Sequence, residues 1–133
     1  GELQEGQVWE ALMFAAHHRI DNLISTIDYN NRQIDGDVDD VMSLGDLRSK
    51  LEAFGWEVLE EKKGNDLESV IAILEFAKSK TGQGKPIAII LHTEMGNGID
   101  YMMGSHAWHG KAPNDEQLDL GLKQLYLEAP GDY

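Results

Sequence analysis

Ile87-Ala-Ile-Ile-Leu91 is an almost unbroken apolar run of strand length, preceded by the loop Thr81-Gly-Gln-Gly-Lys-Pro86. A strand that alternates apolar and polar residues has one wet face. One that is apolar throughout is buried on both, as in a parallel sheet covered by helices. Upstream of the loop, Val70, Ile71, Leu74 and Ala77 recur at helical spacing. Asn65 is the expected cap of that helix, with Glu68 in capping-box position. Trp56 to Leu59 reads as a second short strand. Before it, a helix capped by Ser43 or Asp46 runs to Phe54, with Leu47, Leu51 and Phe54 on one face and Gly55 as its stop. Leu23 to Tyr29 is a further buried strand, ending in the turn signal Asn30-Asn31 and continuing as loop through Asp35-Gly36 and the acidic run Asp37 to Asp40. The first helix spans Gln7 to Ile20 on Val8, Leu12, Ala15 and Ala16. Downstream, Gly96 to Gly110 has no clear period. Pro113-Asn114 then opens a last helix, with Gln117 in capping-box position, that reaches about Leu127.

Strands alternating with helices predict an α/β chain, a partial parallel sheet flanked by helices. Three strands make a small sheet with poorly protected edges, so neighbouring elements are expected from elsewhere. The first residue is not methionine and stands directly before a helical pattern. This too leads us to expect a piece of something longer.

Bulk properties exclude several classes. The 133 residues suffice for one compact domain, and 41% are hydrophobic, enough for a core. With 24 acidic against 11 basic residues the net charge is −13, which repels phosphate backbones and anionic membranes. Nucleic acid and membrane are therefore not expected partners. There is no cysteine, hence no disulfide or thiolate metal site. No apolar stretch is long enough to span a bilayer, and the acidic start Gly1-Glu-Leu-Gln-Glu-Gly6 is unlike a secretory signal, so the expected compartment is cytoplasm.

Two loops carry candidate chemistry. Asp28-Tyr-Asn-Asn-Arg-Gln-Ile-Asp35 follows a strand, and ligands of open α/β sheets bind outside the carboxyl ends of strands. An Asn side chain and nearby carbonyls are hard oxygen ligands suited to Mg²⁺ or Ca²⁺. Alone, the residues read more simply as an Asn-Asn turn without a ligand. Gly104-Ser-His-Ala-Trp-His-Gly-Lys111 brings two histidines and a lysine into an otherwise acidic chain. His106 and His109 suit a metal, a phosphate or proton transfer, or are surface histidines of a loop. His17 and His18 read as structural and His92, ending a strand, as ambiguous. Glu5 stands near the first helix start, where a carboxylate suits the helix dipole. The tryptophans and Met95, Met102 and Met103 read most simply as packing residues.

Taken in order, these segments resemble transketolases. Gly1-Glu-Leu-Gln-Glu-Gly-Gln-Val-Trp-Glu-Ala11 is similar to the segment after their Gly-Asp-Gly triplet, with Gly1 as its last glycine. Asn30-Asn31 falls about thirty residues on, the spacing of the thiamine diphosphate motif. Gln33-Ile-Asp-Gly36, Phe54-Gly-Trp56 and Trp108-His-Gly-Lys-Ala-Pro-Asn114 also resemble the family, the last most like the bacterial form split into two polypeptides. The resemblance covers residues 1–133, as the C-terminal portion of the thiamine diphosphate-binding domain. It implies an enzyme of the pentose phosphate pathway that transfers a two-carbon ketol unit between sugar phosphates, with thiamine diphosphate and Mg²⁺ (or Ca²⁺) as cofactors.

By position, the resemblance implies that Asn30 ligates the metal through its side-chain oxygen and Arg32 through its backbone carbonyl. Gly1 lets the backbone approach the diphosphate at a helix N-terminus. Ile34 and Met95 pack near the cofactor. His109 contacts diphosphate and sugar and assists proton transfers. Glu5 lies at the dimer interface, linking two active sites. The family's metal-binding aspartate would immediately precede Gly1, and the glutamate that activates the aminopyrimidine belongs to a domain outside this sequence. The chain is therefore expected to need the remaining transketolase domains or a partner subunit, in a homo- or hetero-oligomer, and to be inactive and weak in cofactor binding alone. Three other readings stay open: a deoxyxylulose phosphate synthase-like enzyme, a non-catalytic assembly module with large exposed apolar patches, and an unrelated flavodoxin-like domain. The last accounts for the alternation but not for the five motifs.

Overall fold

In the computed structural model, residues 1–125 are described. A 3-10 turn (Glu2–Gln4) precedes α1 (Gly6–His17) and β1 (Ile24–Tyr29). A small hairpin, β2 (Arg32–Gln33) and β3 (Gly36–Asp37), leads into α2 (Val38–Met42) and α3 (Leu47–Ala53). Then come β4 (Glu57–Glu61), α4 (Leu67–Ser79), β5 (Ile87–His92), a second 3-10 turn (His106–Trp108) and α5 (Asp115–Gln124). The expected end of the last helix, Leu127, lies outside the described residues.

The main sheet has three strands in the order β1-β5-β4, all parallel. β5 is central: Ile89 pairs with Thr26 on one side and Leu59 on the other. Its residues alternate between two cores. Ala88 and Ile90 face the larger, with Leu12 and Ala15 of α1, Leu47 and Leu51 of α3, and Trp56 and Val58. Ile87 and Ile89 face the smaller, with Ala77 of α4. Both faces are covered, which is why the strand shows no polar alternation. The indole of Trp56 donates to the Leu12 carbonyl at 2.9 Å, so its one polar atom is satisfied inside the core.

Local chemistry sets the boundaries. α1 ends earlier than the apolar spacing predicts, because Arg19 turns left-handed at φ 52°. Asp46 caps α3 by accepting the Ser49 amide at 2.9 Å. Gly55 ends it at φ 91°, donating to the Glu52 carbonyl, as expected of a helix stop. The cap of α4 is Asp66, which accepts the Ser69 amide at 2.9 Å, rather than Asn65. The Asp side chain one residue on reaches the free amide, and Asn65 is left for another role. The capping box of Asn114 and Gln117 forms as expected.

The buried stripe of α4 also differs from expectation. Ala77 is buried and Ile73 packs on the smaller core, whereas Ile71 and Leu74 lie outward, 52% and 36% exposed. With Leu67, on the same side at helical spacing, they give α4 a second apolar side that is exposed among the described residues. A helix apolar on two sides is ordinarily packed on both. No described helix is long and apolar enough to cross a membrane.

Candidate functional site

Two clefts open at the sheet, one along β1 and one at the ends of β4 and β5. The first, of about 490 Å³, is bounded by Gly1 to Gln4, by the edge strand β1 from Ser25 onward and the following turn through Arg32, by the apolar Val8, Val38 and Leu44, and by His109. Gly1, Asn30, Arg32 and His109, predicted from separated stretches of sequence, thus meet around one space.

Asn30 is held from both ends of its amide. Its Nδ2 donates to Asp28 Oδ2 at 3.2 Å, and its Oδ1 accepts the Arg32 amide at 2.8 Å. That turn requires Asn31 at φ 59°, a conformation Asn tolerates better than most residues. An amide oxygen has two lone pairs, so one remains for a cation. The Arg32 guanidinium pairs with Asp37, and the Asn31 carbonyl accepts the Val38 amide at 3.1 Å, so the hairpin fixes the turn. Gly1 opens a 3-10 turn rather than α1 itself, and Glu5 is the N-cap residue of α1 with its side chain exposed. Beside Gly1, Gln33 keeps its Nε2 buried without a partner; a Cβ on Gly1 would lie 3.8 Å from its Oε1. Sequence reading assigned Gln33 no role of its own.

The other predicted residues are placed elsewhere. Ile34, 70% exposed, lies at the hairpin tip and does not line the cleft. Met95 is half-buried in the segment after β5 and does not line it either. His106 begins the exposed 3-10 turn, and Lys111 stacks on the Trp108 ring at 4.8 Å. His17 and His18 are exposed side by side on α1. Among the described residues no group of three His, Asp or Glu converges to hold a metal. The oxygens at the turn that could be offered to a cation are neutral, the Asn30 side-chain oxygen and the Arg32 carbonyl. That donor set fits Mg²⁺ only if anionic groups from elsewhere complete the shell.

The second cleft lies at the ends of β4 and β5, lined by Lys62 to Asp66 and His92 to Glu94. Lys62 Nζ lies 2.9 Å from Glu60 and 2.8 Å from His92 Nε2. The Lys62 hydrogen bond holds the Glu60 carboxyl below its ordinary range, against the opposing effect of desolvation.

Residues 1–130 match the family described as transketolase, thiamine diphosphate binding domain. The chain belongs to the transketolase family. It is 42% identical over 125 residues to one subunit of the apulose-4-phosphate transketolase of Actinobacillus succinogenes, covering 94% of this chain and 44% of that protein. It is 38% identical over 128 residues to the 6-deoxy-6-sulfo-D-fructose transketolase subunit SqwG of a Clostridium species, covering 96% and 46%. The crystal structure of transketolase from Campylobacter jejuni superposes at a TM-score of 0.83 with 36% identity, over 94% of this chain and 19% of that one. The chain thus spans less than half the length of these curated relatives. Family membership and the α/β fold with its parallel sheet agree with the sequence reading.

Proposed function

We propose that the chain is the C-terminal portion of the thiamine diphosphate-binding domain of a transketolase, and that it supplies the wall holding the metal and diphosphate. The observation that carries this reading is the meeting of Gly1, Asn30, Arg32 and His109 around one cleft that runs along β1 to its carboxyl end. Asn30 Oδ1 and the Arg32 carbonyl would ligate Mg²⁺ (or Ca²⁺). Gly1, with no side chain, leaves its backbone open to the diphosphate, and the unpaired Gln33 amide beside it favours an acceptor there. Thiamine diphosphate, when bound, supplies the stabilisation of a carbanion.

In this reading His109, exposed on the lining of the cleft, offers an imidazole that can bind phosphate oxygens or exchange a proton with a sugar hydroxyl. Ile34, apolar and exposed, and the half-buried Met95 would pack near the cofactor once it or a neighbouring domain covers them. Glu5 is free to meet a second protomer. The uncovered side of α4 supports a larger domain around this one. The relatives from Actinobacillus and Clostridium are each named as one subunit of their enzyme, which supports a hetero-oligomer with a partner subunit. They act on apulose-4-phosphate or 6-deoxy-6-sulfo-D-fructose by their names, which favours ketol transfer to or from a sugar carrying an anionic group over pyruvate-dependent condensation.

The test is Asn30→Ala in the full-length protein with its partner subunit, followed by calorimetry of thiamine diphosphate with and without Mg²⁺. Loss of one metal ligand should weaken the Mg²⁺-dependent affinity by about tenfold or more. Unchanged affinity would remove Asn30 from the site.

A further inference from the structure

The segment after β5 touches both halves of the proposed site without lining the cofactor cleft. The Thr93 hydroxyl donates to Asp28 Oδ1. Through its other oxygen Asp28 accepts the Asn30 amide at 3.2 Å, and so orients the oxygen offered to the metal. The next residue, Glu94, accepts the Gly104 amide on Oε1 at 2.8 Å. Gly104 heads the loop that ends in His109. Thr93 and Glu94 are thus one joint between the metal-ligand turn and the histidine loop.

What fixes this joint is Asn65. Its Oδ1 accepts the Glu94 amide at 2.6 Å, and its Nδ2 lies 3.4 Å from the Glu94 carbonyl, so one side chain brackets both backbone groups of one residue. The preceding Gly64 donates its amide to the His92 carbonyl at 2.8 Å. A Cβ at Gly64 would come within 2.6 Å of that carbonyl oxygen and 2.8 Å of the Thr93 methyl. Only glycine permits this approach, so the Gly64-Asn65 turn is pressed against residues 92–94. Asp66 takes the helix-cap role that Asn65 was predicted to have, and Asn65 is thereby free for the joint.

We infer that Asn65 is a positioning residue for cofactor binding, acting through Thr93 and Asp28 on Asn30 and through Glu94 on the His109 loop. The inference rests on the proposed cofactor site. Asn65 touches neither cofactor nor metal in it. Its loss is felt as a misplaced Asn30 oxygen, since a ligand displaced by a fraction of an ångström loses much of its worth to a cation as small as Mg²⁺.

Three variants of the full-length protein with its partner subunit test this: Asn65→Ala, Asn65→Asp and Asn30→Ala. Each is titrated with thiamine diphosphate at fixed Mg²⁺, and the amide exchange of residues 93–104 is followed in parallel. Asn65 is exposed, so its truncation leaves the core intact. Asn65→Ala should raise the cofactor Kd by about tenfold, the scale of one lost hydrogen bond that leaves its donor unpaired. The Glu94 and Gly104 amides should exchange faster, with the melting temperature of the apo protein and the KM for the sugar unchanged. Asn65→Asp, which keeps an acceptor for the Glu94 amide, should restore most of the affinity. A role confined to stability would lower the melting temperature and spare the Kd. If Asn30→Ala weakens cofactor binding and Asn65→Ala does not, the positioning role is overturned and the site stands. If neither weakens it, the cofactor site itself falls, and the inference with it.

Discussion

Replacing Ile89 by alanine tests the architecture that everything else hangs on. Ile89 is fully buried at the middle of the central strand, between Thr26 and Leu59 and against Ala77 and Ile87. Three carbons leave the core, about 2.5 kcal/mol of transfer free energy at ~0.8 kcal/mol each. The neighbours cannot close the hole: Ala77 has no length to extend, and the strands on either side are held by the ladder. A cavity contribution of about 1 kcal/mol is therefore added, for a total near ~3.5 kcal/mol. Against a total stability of about 5–15 kcal/mol this is a large share. The assay is urea denaturation followed by the fluorescence of Trp56, which is buried in the opposite core. The midpoint should fall with the slope unchanged. The paired control is Ile71→Ala on the uncovered side of α4, which should cost under about 0.5 kcal/mol in the 133-residue chain. In the full-length protein the same change should cost well over about 1 kcal/mol if that side is packed there. A loss under about 1 kcal/mol for Ile89→Ala would refute the two-faced burial of β5. An equal, small cost for Ile71→Ala in both proteins would refute the larger domain around α4.

In the full-length protein with its partner subunit, His109→Ala should lower kcat by about a hundredfold or more if the imidazole moves a proton in the reaction, leaving the melting temperature unchanged; steady-state kinetics with a sugar phosphate pair checks this, and normal turnover would place the loop away from the chemistry. Acid should loosen α3 and α4 together. Hydrogen bonds from Ser49 and Ser69 hold the carboxyls of Asp46 and Asp66 below the ordinary value of 3.8. A carboxyl lowered in the folded state contributes stability above its unfolded pKa and loses it as pH falls through the folded one. Urea midpoints should therefore drop below about pH 4, and less steeply in an Asp46→Asn, Asp66→Asn double variant, whose caps do not titrate; identical acid profiles would remove the caps as the cause.

How much of this was legible in the sequence depended on the range of the interaction involved. Ile87 to Leu91 announced a strand covered on both faces because burial there is nearly complete and composition alone records it. The capping box at Asn114 and the stop at Gly55 are local chemistry and were equally readable. The cap of α4 was misplaced by one residue because Asn65 and Asp66 are both good caps, and what separates them is a bond from Asn65 to Glu94, 29 residues away. The outward turn of Ile71 and Leu74 could not be read from spacing, since α4 carries apolar residues on two sides and periodicity does not say which side meets the sheet. The hairpin at Arg32 to Asp37 is too short for any period to reveal. Asn30 and His109 were separately visible as candidates, but residues alone did not place them in one cleft. That depended on the resemblance to transketolases.

The stretch Gly96 to Gly110 shows why absence of periodicity is not absence of order. Its contacts run to α5 one residue at a time. The Asp100 amide donates to Gln124 Oε1 and Gln124 Nε2 returns to Asp100 Oδ1, both at 2.8 Å. The Tyr101 hydroxyl donates to the Gln117 carbonyl at 2.5 Å, over Gly121, where a Cβ would come within 2.9 Å of it. Tyr101 in turn meets the Trp108 ring at 5.2 Å, and Lys111 lies on that ring. Single contacts of this kind leave no hydrophobic stripe, yet they fix the residue before His109 against a capped helix. With Glu94 holding Gly104 at the other end, the histidine is suspended between two supports, the α5 face and the joint braced by Asn65. Such a loop is cheap to open because little apolar surface is buried beneath it. A bound ligand that touched His109 would therefore tighten the Asn30 turn and the His109 loop together through Thr93 and Glu94. In the proposed site, coupling of the metal side to the substrate side would follow from how the segment after β5 is tied down, with no movement of the sheet.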